Sequence, residues 1–118
     1  MTEKETYFLI IEADGKRGIG ECGLLRGLSI DDRPDYEEKL QWVCDAISRG
    51  ETGLWESLME FPSIQFGYET AMRSLFVDDP FLLFPSDFTR GEKNIPINGL
   101  VWMGEHDFMQ RQIEEKLA

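Results

Sequence analysis

The chain has 118 residues, 42% of them hydrophobic and 12% aromatic, which suits one small domain with a packed core rather than a disordered chain. Its formal net charge of -11 repels phosphate backbones and anionic lipid, so the composition argues against nucleic-acid and membrane partners. Its apolar runs all fall short of the ~20 residues that a bilayer-spanning helix needs.

The opening residues Met1-Thr2-Glu3-Lys4-Glu5 lack the basic head and apolar centre of a secretory leader. Tyr7-Phe8-Leu9-Ile10-Ile11 reads as a strand, and Asp14-Gly15 turns it into a return strand over residues 17–22. Two strands alone are marginal in water and need a cover. The loop over 23–32 carries Leu24, Leu25, Leu28 and Ile30, which suits packing against a neighbour or lining a pocket. A helix is predicted over about 34–49, with Asp31 or Asp32 as cap, Pro34 in the first turn and Gly50 as stop. Tyr36, Leu40, Val43, Cys44 and Ile47 form its core stripe, leaving Trp42 on the polar side.

Residues 54–59 suit a short helical turn. Phe61-Pro62-Ser63 opens a second helix, to about residue 76, with the stripe Ile64, Tyr68, Ala71, Met72 and Leu75. Phe66 lies opposite that stripe, as in a helix sandwiched between layers. Residues 77–94 read as a linker anchored by Phe81, Leu82, Leu83 and Phe84. The run from Ile95 to Met103 is almost wholly apolar and suits a strand buried on both faces, as in a parallel sheet or barrel. After Gly104, Asp107 is placed to cap a final helix bearing Met109, Ile113 and Leu117. One such strand with one helix has nothing to pair with, so the pattern leads us to expect a piece of a larger α/β protein.

Few residues stand out as chemistry. Gly18-Ile19-Gly20-Glu21-Cys22-Gly23 matches the G-x-G-x-x-G dinucleotide pattern. That mechanism needs the glycines between a strand and a helix N-terminus, whereas here they fall in a hairpin strand, where close packing explains them better. Asp31-Asp32 and Asp78-Asp79 are adjacent carboxylates in turns without a third ligand at metal-binding spacing. Cys44 sits on the predicted core stripe and Cys22 ends a strand; two free thiols are the plainer reading. His106 is the sole histidine and precedes a helix N-terminus, which disfavours a charged imidazole.

The order of the pieces resembles a known family. Gly18-Ile19-Gly20-Glu21-Cys22-Gly23-Leu24-Leu25-Arg26-Gly27-Leu28-Ser29 is similar to the GxGEC-x-PLPG-x-S stretch of o-succinylbenzoate synthases in the enolase superfamily. Phe61-Pro62-Ser63-Ile64-Gln65-Phe66-Gly67-Tyr68-Glu69-Thr70-Ala71 resembles their FPSxRFGxExA helix, and Ile95-Pro96-Ile97-Asn98-Gly99-Leu100-Val101-Trp102-Met103-Gly104 their IPINGLxWMG first barrel strand. Together the three motifs, in this order, cover nearly the whole chain.

The resemblance implies an α+β fold: a capping domain of hairpin or meander plus helices over residues 1–91, then the first strand and helix of a TIM-like barrel over 92–118. It implies a cytoplasmic, Mg²⁺-dependent lyase that dehydrates 2-succinyl-6-hydroxy-2,4-cyclohexadiene-1-carboxylate to o-succinylbenzoate in menaquinone synthesis. In the family a lysine base removes the proton and the metal stabilises the enediolate. The K-x-K base motif, the acidic metal ligands and the opposing lysine lie downstream of the matched motifs. The expectation is therefore of no catalytic residue and no bound metal in this chain, and of no activity by the chain alone. Upstream, the family cap begins with a further strand and a mobile loop, to whose end Met1-Thr2-Glu3-Lys4-Glu5 is fitted. What remains is substrate recognition, with Leu25, Ser29, Asn98 and Trp102 as pocket-lining positions for a small-molecule substrate. Two alternatives stay open: a stand-alone interaction module that self-associates through residues 95–103, and the cap of another superfamily racemase or cycloisomerase.

Overall fold

In the computed structural model, which describes residues 4–118, strands β1 (Tyr7–Ala13) and β2 (Lys16–Cys22) pair antiparallel. The fitted loop end at residues 1–3 lies outside the described residues. Asp14 and Gly15 join the strands with φ of 50° and 75°, the two left-handed residues of a primed hairpin turn, whose twist matches that of the strands. The register sets Tyr7 against Cys22 and Ala13 against Lys16. Leu9 and Ile11 therefore share one face with Gly18, Gly20 and Cys22, and all five are buried. Phe8 and Ile10 point to the other face and are exposed.

Helix α2 (Pro62–Ser74) lies on the buried face. Pro62 occupies its first turn, where its missing N–H costs nothing. The glycines set how close it comes. A Cβ at Gly20 would stand 1.7 Å from the Gly67 carbonyl oxygen, and one at Gly18 would stand 2.1 Å from that of Ala71. From the helix side, a Cβ at Gly67 would meet the Cys22 Sγ at 2.3 Å. The G-x-G pattern is thus a helix seat, and a side chain larger than hydrogen would lift the helix off the sheet. Ser74 fastens its far end: the Ile19 N–H donates to the Ser74 Oγ at 2.6 Å, and that hydroxyl donates to the Ala71 carbonyl at 3.1 Å.

Helix α1 (Tyr36–Ser48) begins two residues later than the sequence predicts, and a 3₁₀ turn (Glu56–Leu58) forms where residues 54–59 suggest one. The core gathers Leu9, Ile11, Cys22, Leu24, Tyr36, Val43, Leu58, Phe61, Ile64, Ala71 and Leu75. Burying each of the larger side chains contributes about 1.5–3 kcal/mol. Four of the five residues expected on the α1 stripe are in place, with Leu40 and Ile47 packing partly against the core; one is corrected. Tyr36, Val43 and Ala46 are buried, whereas Cys44, expected in the core, is exposed. Trp42, expected on the polar side, packs partly against the core with the Lys39 Nζ 3.8 Å from its ring centroid. The core face is thus rotated slightly toward Trp42 and Ala46 and away from Cys44. In α2 the expected stripe is in place, but Phe66 is exposed rather than sandwiched.

The chain divides into two compact units, Met1–Pro85 and Ser86–Ala118. The linker residues 77–94 form turns and bends spanning that division, with Phe81 and Phe84 exposed and Leu82 and Leu83 half-buried. In the second unit, Ser86 and Thr89 close a turn by mutual hydrogen bonds, and helix α3 (His106–Leu117) follows. Glu105, not Asp107, stands at its N-cap, and no side-chain cap bond is formed. Residues 94–105 run without regular secondary structure. The apolar pattern there predicts a strand, but a strand exists by its ladder, and these main-chain groups face no partner strand among the described residues. Ile97 and Met103 are consequently 87% and 93% exposed. Gln112 of α3 supplies a local substitute: its Oε1 accepts from the Trp102 N–H at 2.9 Å and its Nε2 donates to the Trp102 carbonyl at 3.1 Å.

Candidate functional site

The β2–α1 loop is closed by its own hydrogen bonds. The Leu28 and Ser29 N–H groups both donate to the Leu25 carbonyl, at 3.1 and 2.9 Å, and Gly27 takes a φ of 76° to allow the turn. Ser29 closes the loop again through its Oγ, which accepts from the Leu25 N–H at 2.9 Å. Two of the residues assigned to substrate are therefore brought together. The Ser29 hydroxyl is engaged within the loop, and Leu25, 37% exposed, is free to meet an apolar surface. Leu28 and Ile30 are more exposed still, while Leu24 is fully buried and anchors the loop in the core.

Charges brace this loop. The Arg26 guanidinium donates to Glu5 and to Asp32, and the second Asp32 oxygen accepts from the Gly27 N–H at 2.6 Å. The Gly27 N–H, then the Arg26 side chain, hold the Asp32 carboxyl below the usual carboxylate range. The Tyr7 hydroxyl donates to Glu37 at 2.8 Å, and that bond is the first cause of its pKa rising to about 12. Neighbouring Asp31 is buried and has another task. Its Oδ2 accepts from the Ser63 N–H at 2.8 Å and from the Ser63 hydroxyl at 2.6 Å, next to the Tyr36 hydroxyl at 2.7 Å from that same Ser63 oxygen. Neither aspartate caps α1, as the sequence suggested; Asp31 caps α2, and Asp35 stands at the α1 N-cap without a side-chain cap bond. Sequence reasoning missed both arrangements, because each depends on contacts outside its own helix.

Asn98 and Trp102, the other two assigned residues, lie in the second unit on the extended segment 94–105, both exposed, Trp102 at 68%. Only the main chain of Trp102 is tied, to Gln112, which leaves the indole free.

For the Mg²⁺ that the resemblance implies, the residues present do not fit. Among the described residues no three His, Cys, Asp or Glu side chains converge as a ligand set. Three of the four paired carboxylates are otherwise engaged: Asp31 by Ser63, Asp32 by Gly27 and Arg26, and Asp79 by the Phe81 N–H at 2.9 Å. Cys22 is buried and free, and loss of solvent pushes its thiol pKa up to about 12, away from nucleophilic use. Among the described residues, no helix is long and apolar enough to cross a membrane.

No protein-family model matches the chain. It is 34% identical over 149 residues to the o-succinylbenzoate synthase of Desulfotalea psychrophila (strain LSv54 / DSM 12343), a match that takes in 100% of this chain and 40% of that protein. The structure is similar to the crystal structure of MenC from Desulfotalea psychrophila LSv54, with a TM-score of 0.67 and 33% identity over 98% of this chain and 41% of that one. The hairpin and its helices match the capping-domain architecture of the enolase superfamily. The chain spans about two-fifths of the length of the relative it matches.

Proposed function

From a match to the o-succinylbenzoate synthase family that runs the full length of the chain, we propose that this protein is the capping portion of such a lyase. On this reading residues from about 92 onward form the first strand and helix of the barrel. The whole enzyme dehydrates 2-succinyl-6-hydroxy-2,4-cyclohexadiene-1-carboxylate to o-succinylbenzoate, the chemistry of menaquinone synthesis. Proton abstraction and charge stabilisation fall to residues outside the matched motifs, and this chain contributes recognition.

The observation that carries the reading is the coincidence of sequence and fold: the same relative is found by identity and by superposition, each over almost all of this chain. Leu25 on its braced loop, with Ser29 shaping that loop, and the exposed Asn98 and Trp102 are the pocket-lining positions. The apolar run 95–103 supports the assignment, since a barrel would bury it and supply its missing ladder.

Two measurements test this. The chain alone, with Mg²⁺ and substrate, should form no o-succinylbenzoate. Fused in place of the matched segment of the Desulfotalea psychrophila enzyme, it should give a fusion that does. A folded fusion that racemises or cycloisomerises related acids, and leaves this substrate untouched, would move the chain to another branch of the superfamily.

A further inference from the structure

Residues Leu25 to Leu28 form a type II turn: the Leu28 N–H donates to the Leu25 carbonyl, Gly27 has positive φ in the third position, and Arg26 occupies the second. Proline favours that second position because its ring presets φ. Nothing in the main chain opposes it, since the Arg26 N–H makes no hydrogen bond among the described residues. The chain carries a long charged side chain there instead, and each of its three guanidinium nitrogens donates a hydrogen bond. Nε and Nη2 donate to the Glu5 Oε2 at 2.9 and 2.5 Å, and Nη1 donates to the Asp32 Oδ1 at 2.9 Å. Nη2 also reaches the Tyr7 hydroxyl at 3.5 Å. Asp32 returns to the same turn through the Gly27 N–H. One guanidinium thus ties together the lead into β1, the turn and the approach to α1.

We propose that Arg26 is an ionic clasp that does electrostatically what a turn proline would do covalently, holding the loop over 24–32 in one shape and releasing it as ionic strength rises. The guanidinium is about half exposed, so salt reaches it and screens both carboxylates. A proline turn would have no such dependence. The presentation of Leu25 and Leu28 therefore varies with salt while the core, which rests on apolar burial, does not. This inference stands independently of the enzymatic reading.

Amide hydrogen exchange on the full chain tests it, with Leu25, Gly27, Leu28 and Ser29 as reporters and the α2 amides as reference. In the wild type, loop exchange should speed up roughly threefold to tenfold between about 0.05 and 1 M NaCl, with α2 unchanged. Arg26→Gln should exchange fast at both salt levels, and Arg26→Pro should stay protected at both. A wild-type loop indifferent to salt, or Arg26→Gln as protected as the wild type, overturns the clasp. If Arg26→Pro is as exchangeable as Arg26→Gln, the turn does not accept proline and the equivalence fails. If Arg26→Gln also deprotects α2, the arginine holds the whole fold, and a local clasp is the wrong description.

Discussion

Asp31 caps a helix that lies 32 positions away: its Oδ2 receives both the main-chain N–H and the hydroxyl of Ser63, in the first turn of α2. The carboxylate is buried, so water cannot replace it. Asp31→Ala should cost about 1–3 kcal/mol in urea denaturation, the sum of a lost cap and unsatisfied buried donors. Ser63→Ala should cost less, and the double mutant should fall short of the sum of the two singles, because both remove one interaction.

The glycine seat predicts a sharp asymmetry between near neighbours. Gly20→Ala drives a methyl into the Gly67 carbonyl, and the helix must shift, at a cost of about 3 kcal/mol or more. Gly23→Ala meets only the ends of the Glu21 and Lys4 side chains, at 3.4 Å and beyond, and should change stability by less than about 0.5 kcal/mol. Equal effects in denaturant titrations would mean that α2 does not rest on β2 as described. Added dinucleotide should leave both midpoints unmoved.

Alkaline pH should unfold the chain along a definite window. Burial raises the Cys22 thiol from 9.0 to about 12, and the Tyr36 hydroxyl from 10.0 to about 12. Both groups ionise in the unfolded chain while still neutral in the folded one. Their contribution is whole below pH 9 and is lost as pH climbs toward 12. Stability should therefore fall between pH 9 and 12, and Cys22→Ala should flatten the early part of that fall. A slope unchanged by Cys22→Ala would show that the thiol is solvated.

The rotation of α1 can be read chemically. Iodoacetamide applied to the native chain at pH 8 should modify Cys44, which is exposed, and spare Cys22, which is buried. Both should react in denaturant. Mass mapping that finds Cys22 labelled first would restore the stripe drawn from the sequence.

For the proposed lyase, the fusion enzyme offers the test of its pocket residues. Trp102→Ala should lower kcat/KM about tenfold or more for o-succinylbenzoate formation, with the thermal midpoint little changed. A drop in the midpoint with normal kcat/KM would make the indole a packing group.

Some signals confined to a few consecutive residues read correctly from the sequence, although the local caps expected at Asp31 or Asp32 and at Asp107 did not form. Asp14-Gly15 announced the hairpin turn and Pro62 the start of α2, because each acts through its own φ. The rotation of α1 was beyond such signals: Ala46 and Cys44 are both small, and only the surface beneath the helix chooses between them. The Asp31 cap and the Arg26 clasp are likewise tertiary, joining residues whose spacing carries no periodicity. The run 95–103 marks a further limit, since its apolar pattern predicts burial but cannot supply the neighbour that a strand requires. Of the four residues proposed to line a pocket, Leu25 and Ser29 are hydrogen-bonded in one loop and Asn98 and Trp102 are exposed on one segment, which leaves their role to the fusion enzyme.

That same segment carries a hazard and a partial remedy. An uncharged, exposed apolar run with open main-chain groups is the template on which chains stack into aggregates. At Trp102 both of those groups are already taken by the Gln112 carboxamide, so an incoming strand must first displace it. Gln112 also donates to the Phe108 carbonyl of its own helix at 3.4 Å, so Gln112→Ala should loosen that turn of α3 as well as free Trp102, and should shorten the lag before turbidity appears.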